Sequence, residues 1–155
     1  MSAKQPEHIE NSIEINASPQ RVWEIVSEVR NAPEWASNTA RVFTFGRGPG
    51  QGVVSVNINR DGLLVWPTTS KIVEYIPGRR IANRINENHS IWAFEIERVG
   101  TATRLTERRE TPKGTSALSN FLVSTVFGGQ EKFTNNLDTG VSTSLQRIKT
   151  MAEQG

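Results

Sequence analysis

Ser116–Met151, SALSNFLVSTVFGGQEKFTNNLDTGVSTSLQRIKTM, closes the chain with apolar residues at helical spacing. Wound at about 100° per residue, Leu118, Phe121, Leu122, Thr125, Val126, Phe133, Leu137, Val141, Leu145, Ile148 and Met151 gather on one stripe. A stripe of that kind has to be buried. The segment before it reads almost wholly as short strands, so its expected partner is an antiparallel sheet, giving one long helix gripped by one curved sheet. Gly128-Gly129 interrupts the run, and two glycines together cost roughly 2 kcal/mol of helix propensity relative to alanine. A kink or break is expected there, serving either as the hinge of a lid or as a bend that follows the sheet.

Working back from that helix, His8 to Ala17 alternates, with Ile9, Ile13 and Ile15 on one side and Glu10, Glu14 and Asn16 on the other, as a half-buried strand does. Ser18-Pro19 then supplies a cap and a first helical residue, and Val22, Trp23, Val26 and Val29 mark one face of a helix ending near Arg30, before Pro33. Residues 34–38 read as a short helical turn, with Trp23 and Trp35 closing one end of a core. Strands follow over Arg41–Phe45, Val53–Asn59, Leu63–Tyr75, Arg80–Asn86, Ser90–Arg98 and Thr101–Thr111. Asp61-Gly62 signals a tight hairpin, and Pro67 implies a bulge or an edge position. Consecutive hairpins make an antiparallel meander, so the fold class is α+β.

One domain over residues 1–155 is expected, since this length buries roughly 68–70% of the unfolded surface without staples. The absence of cysteine removes disulfides, thiolate metal sites and cysteine nucleophiles. His8 and His89 are the only histidines and no ligand cluster surrounds them, so neither metal nor cofactor is expected. No signal-like segment or membrane-length apolar run is present, which points to a cytoplasmic protein without an integral membrane segment. Asn16-Ala-Ser and Asn88-His-Ser match a glycosylation pattern that has no use without export. A net charge of +2, with Glu97, Glu107 and Glu110 interleaved among the arginines, argues against nucleic acid as a partner. Oligomeric state is left open.

The order of elements resembles the helix-grip fold of the START-like, or SRPBCC, superfamily. Ser12-Ile-Glu-Ile-Asn-Ala-Ser-Pro-Gln-Arg-Val-Trp23 is similar to the opening of that group, and Pro33-Glu-Trp35 to its second helical element. Tyr75-Ile-Pro-Gly-Arg-Arg-Ile81, Trp92-Ala-Phe-Glu-Ile96 and Thr103-Arg-Leu-Thr-Glu-Arg-Arg-Glu110 resemble small bacterial polyketide cyclase/dehydrase-like proteins. The resemblance covers nearly the whole chain. It implies a deep, mostly apolar cavity between sheet and long helix that takes a lipid- or polyketide-like ligand. It transfers no catalytic residue, because the polar groups of proven cyclases have no positional match here.

Strand alternation supplies candidates independently. With Leu105 inward, Thr103, Glu107 and Arg109 share its face, and a carboxylate there would be desolvated and suited to acid/base chemistry. Glu107 is therefore the candidate catalytic group. The competing expectation is that it pairs with Arg84 or Arg109, or is turned outward by a bulge. By the same parity Asn11 joins Ile9 and Ile13, and Asn83 joins Ile81 and Ile85. The candidate ligand-binding set is Asn11, Trp66, Asn83, Trp92, Phe94, Glu107 and Arg109 from the sheet, with Phe121, Val126 and Phe133 from the long helix. His89 has no Ser/Asp partner at a recognisable spacing, and Tyr75 is placed to hydrogen-bond a ligand or simply to end a strand. Gly46–Gly52 lacks the Lys-Ser/Thr of a phosphate loop and reads as a flexible hairpin. Three functions compete: a binder of a hydrophobic or amphipathic ligand, a cyclase, aromatase or dehydratase, and an interaction module whose cavity has collapsed.

Overall fold

The computed structural model describes residues 8–46, 50–111 and 130–154, with side chains for 9–46, 50–111 and 139–154. The elements are β1 (His8–Ile15), α1 (Pro19–Val26), a short 3-10 turn (Val29–Asn31), α2 (Ala32–Trp35), β2 (Thr39–Phe45), β3 (Val54–Asp61), β4 (Leu64–Ile76), β5 (Arg80–Ile85), β6 (Ile91–Val99), β7 (Ala102–Glu110) and α3 (Gln130–Glu153). The strands form one seven-stranded antiparallel sheet in the order β1-β7-β6-β5-β4-β3-β2. This is the expected meander, with the first strand folded back beside the last. Gly128-Gly129 and the start of the predicted long helix lie outside the described residues.

α1 starts where the sequence says it must. The Ser18 hydroxyl accepts from the Arg21 amide at 3.1 Å, and Pro19 occupies the first turn. The helix ends at Val26, four residues before the expected Arg30, because Glu28 turns extended and its carboxylate accepts from the Arg30 amide at 3.1 Å, capping a new 3-10 turn. Pro33 consequently sits in the first turn of α2 and does not terminate α1.

The β3–β4 connection is a two-residue loop, Gly62-Leu63, between the facing pair Asp61 and Leu64. Gly62 has φ +62°, the left-handed region that glycine enters without strain. Pro67 has β3 on one side only, since pairing with β5 begins at Ser70, so its missing donor breaks no ladder. The register shift in β4 lies further on, between Ile72 and Glu74.

α3 lies closest to β1, α1 and α2. Val141, Leu145, Ile148 and Ala152 recur at four, three and four residues and are all buried. They meet Ile15, Val22, Val26, Ile72, Ile81 and Leu105 in one core. Polar contacts fix the helix along β1: the Asn16 amide donates to Glu153 at 2.7 Å and Lys149 to the Glu14 carbonyl at 3.1 Å. Gly140 permits a close approach, because a Cβ there would stand 3.2 Å from the Ser37 hydroxyl. Among the described residues no helix is long and apolar enough to cross a membrane.

Candidate functional site

Antiparallel register converts the alternation of each strand into rows that run across the sheet. On the face toward α3, Asn11 stands opposite Glu107, Glu107 opposite Phe94, Phe94 opposite Ile81, and Ile81 opposite Tyr75. The next row runs Ile9, Arg109, Trp92, Asn83, Ile72. Side chains opposite one another on one face lie about 4.5–5.5 Å apart at Cβ. The sequence-predicted Asn11, Asn83, Trp92, Phe94, Glu107 and Arg109 therefore occupy two adjacent rows of one surface. Trp66 shares the face but stands apart, opposite Asn59 near the β3–β4 hairpin. Phe121 and Val126 lie outside the described residues, and of Phe133 only the backbone is described, within α3.

β7 grades this surface from dry to polar. Thr103, whose hydroxyl donates to the Ala17 carbonyl at 2.7 Å, and Leu105 are fully buried under the helices; Glu107 and Arg109 follow, 5% and 1% exposed. Burial holds the Glu107 carboxyl neutral, pushing its pKa from 4.5 up to about 8. Neither expected partner intervenes. Arg84 projects from the opposite face, one residue from Asn83, and no ion pair holds Glu107 among the described residues. Its Oε1 is buried with no hydrogen-bond partner among those residues. Burial also lowers the Arg109 pKa to about 10, so the guanidinium stays charged at neutral pH, and it lies 5.9 Å from the centre of the Trp92 ring.

Aromatic contacts fix the walls. Trp35 meets Phe94 edge-on with ring centres 5.1 Å apart, and Trp23 meets Tyr75 at 5.2 Å. Tyr75 thus ends its strand against α1. The Trp35 indole Nε1 is buried without a partner among the described residues, so a donor and an acceptor, Trp35 and Glu107, both stand next to Phe94 with unused capacity. Sequence reasoning placed Trp35 in the core and missed its free N–H, because a helical tryptophan carries no sign of where its nitrogen points.

A second polar group was also missed. On the same face of β3 and β4, the Ser55 and Ser70 hydroxyls are 2.6 Å apart, Asn57 donates to Ser70 at 3.2 Å, and Asn59 donates to Thr68 at 2.9 Å. The signal was present: Ser55, Asn57 and Asn59 keep strict period two, facing Ser70, Thr68 and Trp66. His89 is exposed in the β5–β6 turn at φ +63°, away from both groups. Two open clefts, one bounded by Pro19, Gly78 and Arg98 and one along Ser142, Thr143 and Gln146, include none of the candidates. No group of three or more acidic or histidine side chains is placed to hold a metal among the described residues.

The chemistry available is that of a neutral carboxylic acid and a nearby guanidinium set in an aromatic wall. Sheet, short helices and C-terminal helix together define a START-like protein of the helix-grip type. Residues 6–147 match the family of polyketide cyclase/dehydrase and lipid transport proteins, and the chain belongs to that family. Similar solved structures agree in fold. The di-domain ARO/CYC StfQ of the steffimycin biosynthetic pathway superposes with a TM-score of 0.75 at 14% identity over 96% of this chain, which spans 51% of StfQ. The Zhui aromatase/cyclase from Streptomyces sp. R1128 gives 0.72 at 20% identity, covering 95% of this chain and 93% of its own. A polyketide-cyclase-like protein from Corynebacterium glutamicum gives 0.67 at 22% identity, covering 99% and 94%. No curated protein matches the chain in sequence.

Proposed function

We propose that the inner face of the sheet binds a small hydrophobic or amphipathic ligand, lipid- or polyketide-like, with its polar end at Glu107 and Arg109. The observation that carries this reading is Glu107: a carboxyl 5% exposed, neutral at physiological pH, with Oε1 unpartnered among the described residues. Leaving a buried polar atom unsatisfied costs about 1–3 kcal/mol, a cost that a ligand hydroxyl or carbonyl would recover. The protonated acid donates to a carbonyl, Arg109 draws the electron-rich end of the ligand, and Asn83 offers an amide from β5, while Asn11, whose amide nitrogen donates to the Ser142 hydroxyl at 3.4 Å, borders the site from β1. Trp92, Phe94 and Trp66 supply apolar wall, as do Phe121, Val126 and Phe133 in this proposal. Each buried methylene adds about 0.8 kcal/mol. The family match and the aromatase/cyclase neighbours support a role of this kind. Native mass spectrometry of freshly purified protein, followed by solvent extraction, tests it: the reading expects a co-purifying apolar molecule, or a raised melting temperature with palmitate or 1-naphthol. Protein that is empty as isolated and indifferent to both probes overturns it.

A cyclase, aromatase or dehydratase reading has one specific observation in its favour. A carboxyl with a pKa of about 8 gives up and regains a proton near neutral pH, the condition for efficient general acid/base catalysis. In that reading Glu107 moves the proton at a substrate carbonyl, and Arg109 or Asn83 orients the chain. Glu107→Gln separates the two: unchanged ligand affinity with turnover of a poly-β-ketone abolished marks an enzyme.

A further inference from the structure

The β3–β4 hairpin presents a feature that ligand binding does not use. Leu63 is 98% exposed in the two-residue loop, flanked by Leu64 and by Val65, itself 57% exposed. Three consecutive apolar residues at a protruding tip are costly to leave in water. Level with Val65, Arg60 faces it across the hairpin, and its Nε donates to the Gly62 carbonyl at 2.9 Å, which holds the guanidinium beside the turn. Arg41 of β2 stands opposite Ile58, two residues further back. Both arginines are exposed, and at about 3.3 Å per residue Arg60 lies about 7 Å and Arg41 about 13 Å behind Leu63.

We propose that this hairpin docks on an anionic lipid surface, with Leu63 and Leu64 in the acyl boundary, Val65 and Arg60 side by side at the headgroup level, and Arg41 behind them. The set-back of Arg60 suits the depth of about 5–10 Å to which interfacial segments bury apolar side chains, and Arg41 lies just outside it. Size and charge select a bilayer over the other occupants. A stable protein interface needs roughly 800 Å² from each partner, which three side chains at a convex tip do not supply. A second copy meeting this one tip to tip brings Arg60 and Arg41 against their own counterparts. A fluid, negatively charged bilayer requires no complementary concavity and attracts both cations. Asp61, at the base of the loop, opposes the attraction. This inference stands whether or not the inner face holds a ligand.

Co-sedimentation with vesicles tests it. Full-length protein should pellet with phosphatidylcholine vesicles containing phosphatidylglycerol and stay in solution with pure phosphatidylcholine, and the binding should weaken as salt rises. Leu63→Ser should weaken it roughly tenfold, Arg60→Ala about fivefold, and Asp61→Asn should strengthen it by a similar factor. All three sites are exposed, and an unchanged melting temperature shows that each variant folds. Failure to pellet with anionic vesicles overturns the proposal, as does binding that Leu63→Ser and Arg60→Ala leave unchanged. A concentration-dependent dimer abolished by Leu63→Ser, without vesicle binding, assigns the tip to a second copy and overturns it too.

Discussion

Across β1, β7 and β6 the outer face of the sheet carries Arg104 between Glu14 and Glu97, and Arg108 between Glu10 and Glu95, with Arg80 of β5 reaching Glu95 and Glu74. Across β2, β3 and β4 the same face carries Phe43, Phe45, Val54 and Val65, all exposed, and the cations Arg41 and Lys71, neither in an ion pair among the described residues. The inner face divides along the same line: a buried acid and guanidinium on β7, a hydrogen-bonded ladder of hydroxyls and amides on β3 and β4. One half thus satisfies its outer charges internally and keeps the Glu107 Oε1 unpartnered inside among the described residues. The other satisfies its inner polar groups and leaves apolar and cationic groups outside. The proposed ligand contact centres on the inner face of the first half, and the proposed surface contact on the β3–β4 tip of the second.

The largest effect expected from this division is in pH dependence. In the unfolded chain Glu107 ionises near its ordinary 4.5, whereas in the fold it keeps its proton to about 8. Below 4.5 both states are protonated and nothing is lost. Between the two values the unfolded chain releases a proton that the fold retains, so stability falls as pH rises, by about 4–5 kcal/mol at most by pH 8. Urea midpoints measured from pH 5 to 8 should show that decline, and Glu107→Gln should flatten it. Ser70→Ala, in the inner ladder of the other half, should leave the slope as it is. A wild-type profile without slope in this window would place the Glu107 carboxyl in contact with water or a cation.

A second contrast compares core with rim. Leu105, fully buried at the centre of the inner face, should lose about 2–5 kcal/mol of stability on truncation to alanine. Phe45→Ser, a larger deletion at a side chain 58% exposed on the edge strand, should change stability by less than about 0.5 kcal/mol. Chemical denaturation of both variants checks the pair. A large loss at Phe45 would mean that the outer face of β2 is covered in solution.

The same division governs what could be read in advance. Period-two alternation in β7 was enough to turn Thr103, Leu105, Glu107 and Arg109 inward, because one face of that strand is wholly buried and parity then decides every side chain. Asn11, Asn83, Trp92 and Phe94 followed by the same rule. Row membership was beyond reach: that Glu107 faces Asn11 and Phe94 depends on register, which the β6–β7 turn and the return of β1 beside β7 set. An apolar residue after Asp-Gly fits the start of a strand, which is what the sequence predicts for Leu63. The two-residue loop takes Gly62 and Leu63 together and leaves the leucine in solvent. The end of α1 departs from its sequence pattern for a local reason, since a glutamate that caps a new turn resembles one that continues a helix.

The smallest effect tests whether the ion-pair lattice is a working part of the outer face or an incidental result of composition. Glu95 Oε1 accepts from Arg80 at 2.6 Å and from Arg108 at 3.0 Å, and Arg108 also faces Glu10 at 3.5 Å. A single exposed pair is worth about 0–1 kcal/mol, but a carboxylate shared by two guanidiniums holds both at the entropic cost of ordering one acid. A double-mutant cycle on Arg108→Ala and Glu95→Ala should therefore give a coupling of about 0.5–1 kcal/mol that fades in 1 M salt. Lys71→Ala, on the half where no such lattice forms, should show no salt-dependent loss. Zero coupling between Arg108 and Glu95 would remove the energetic distinction between the two outer faces and leave only the chemical one.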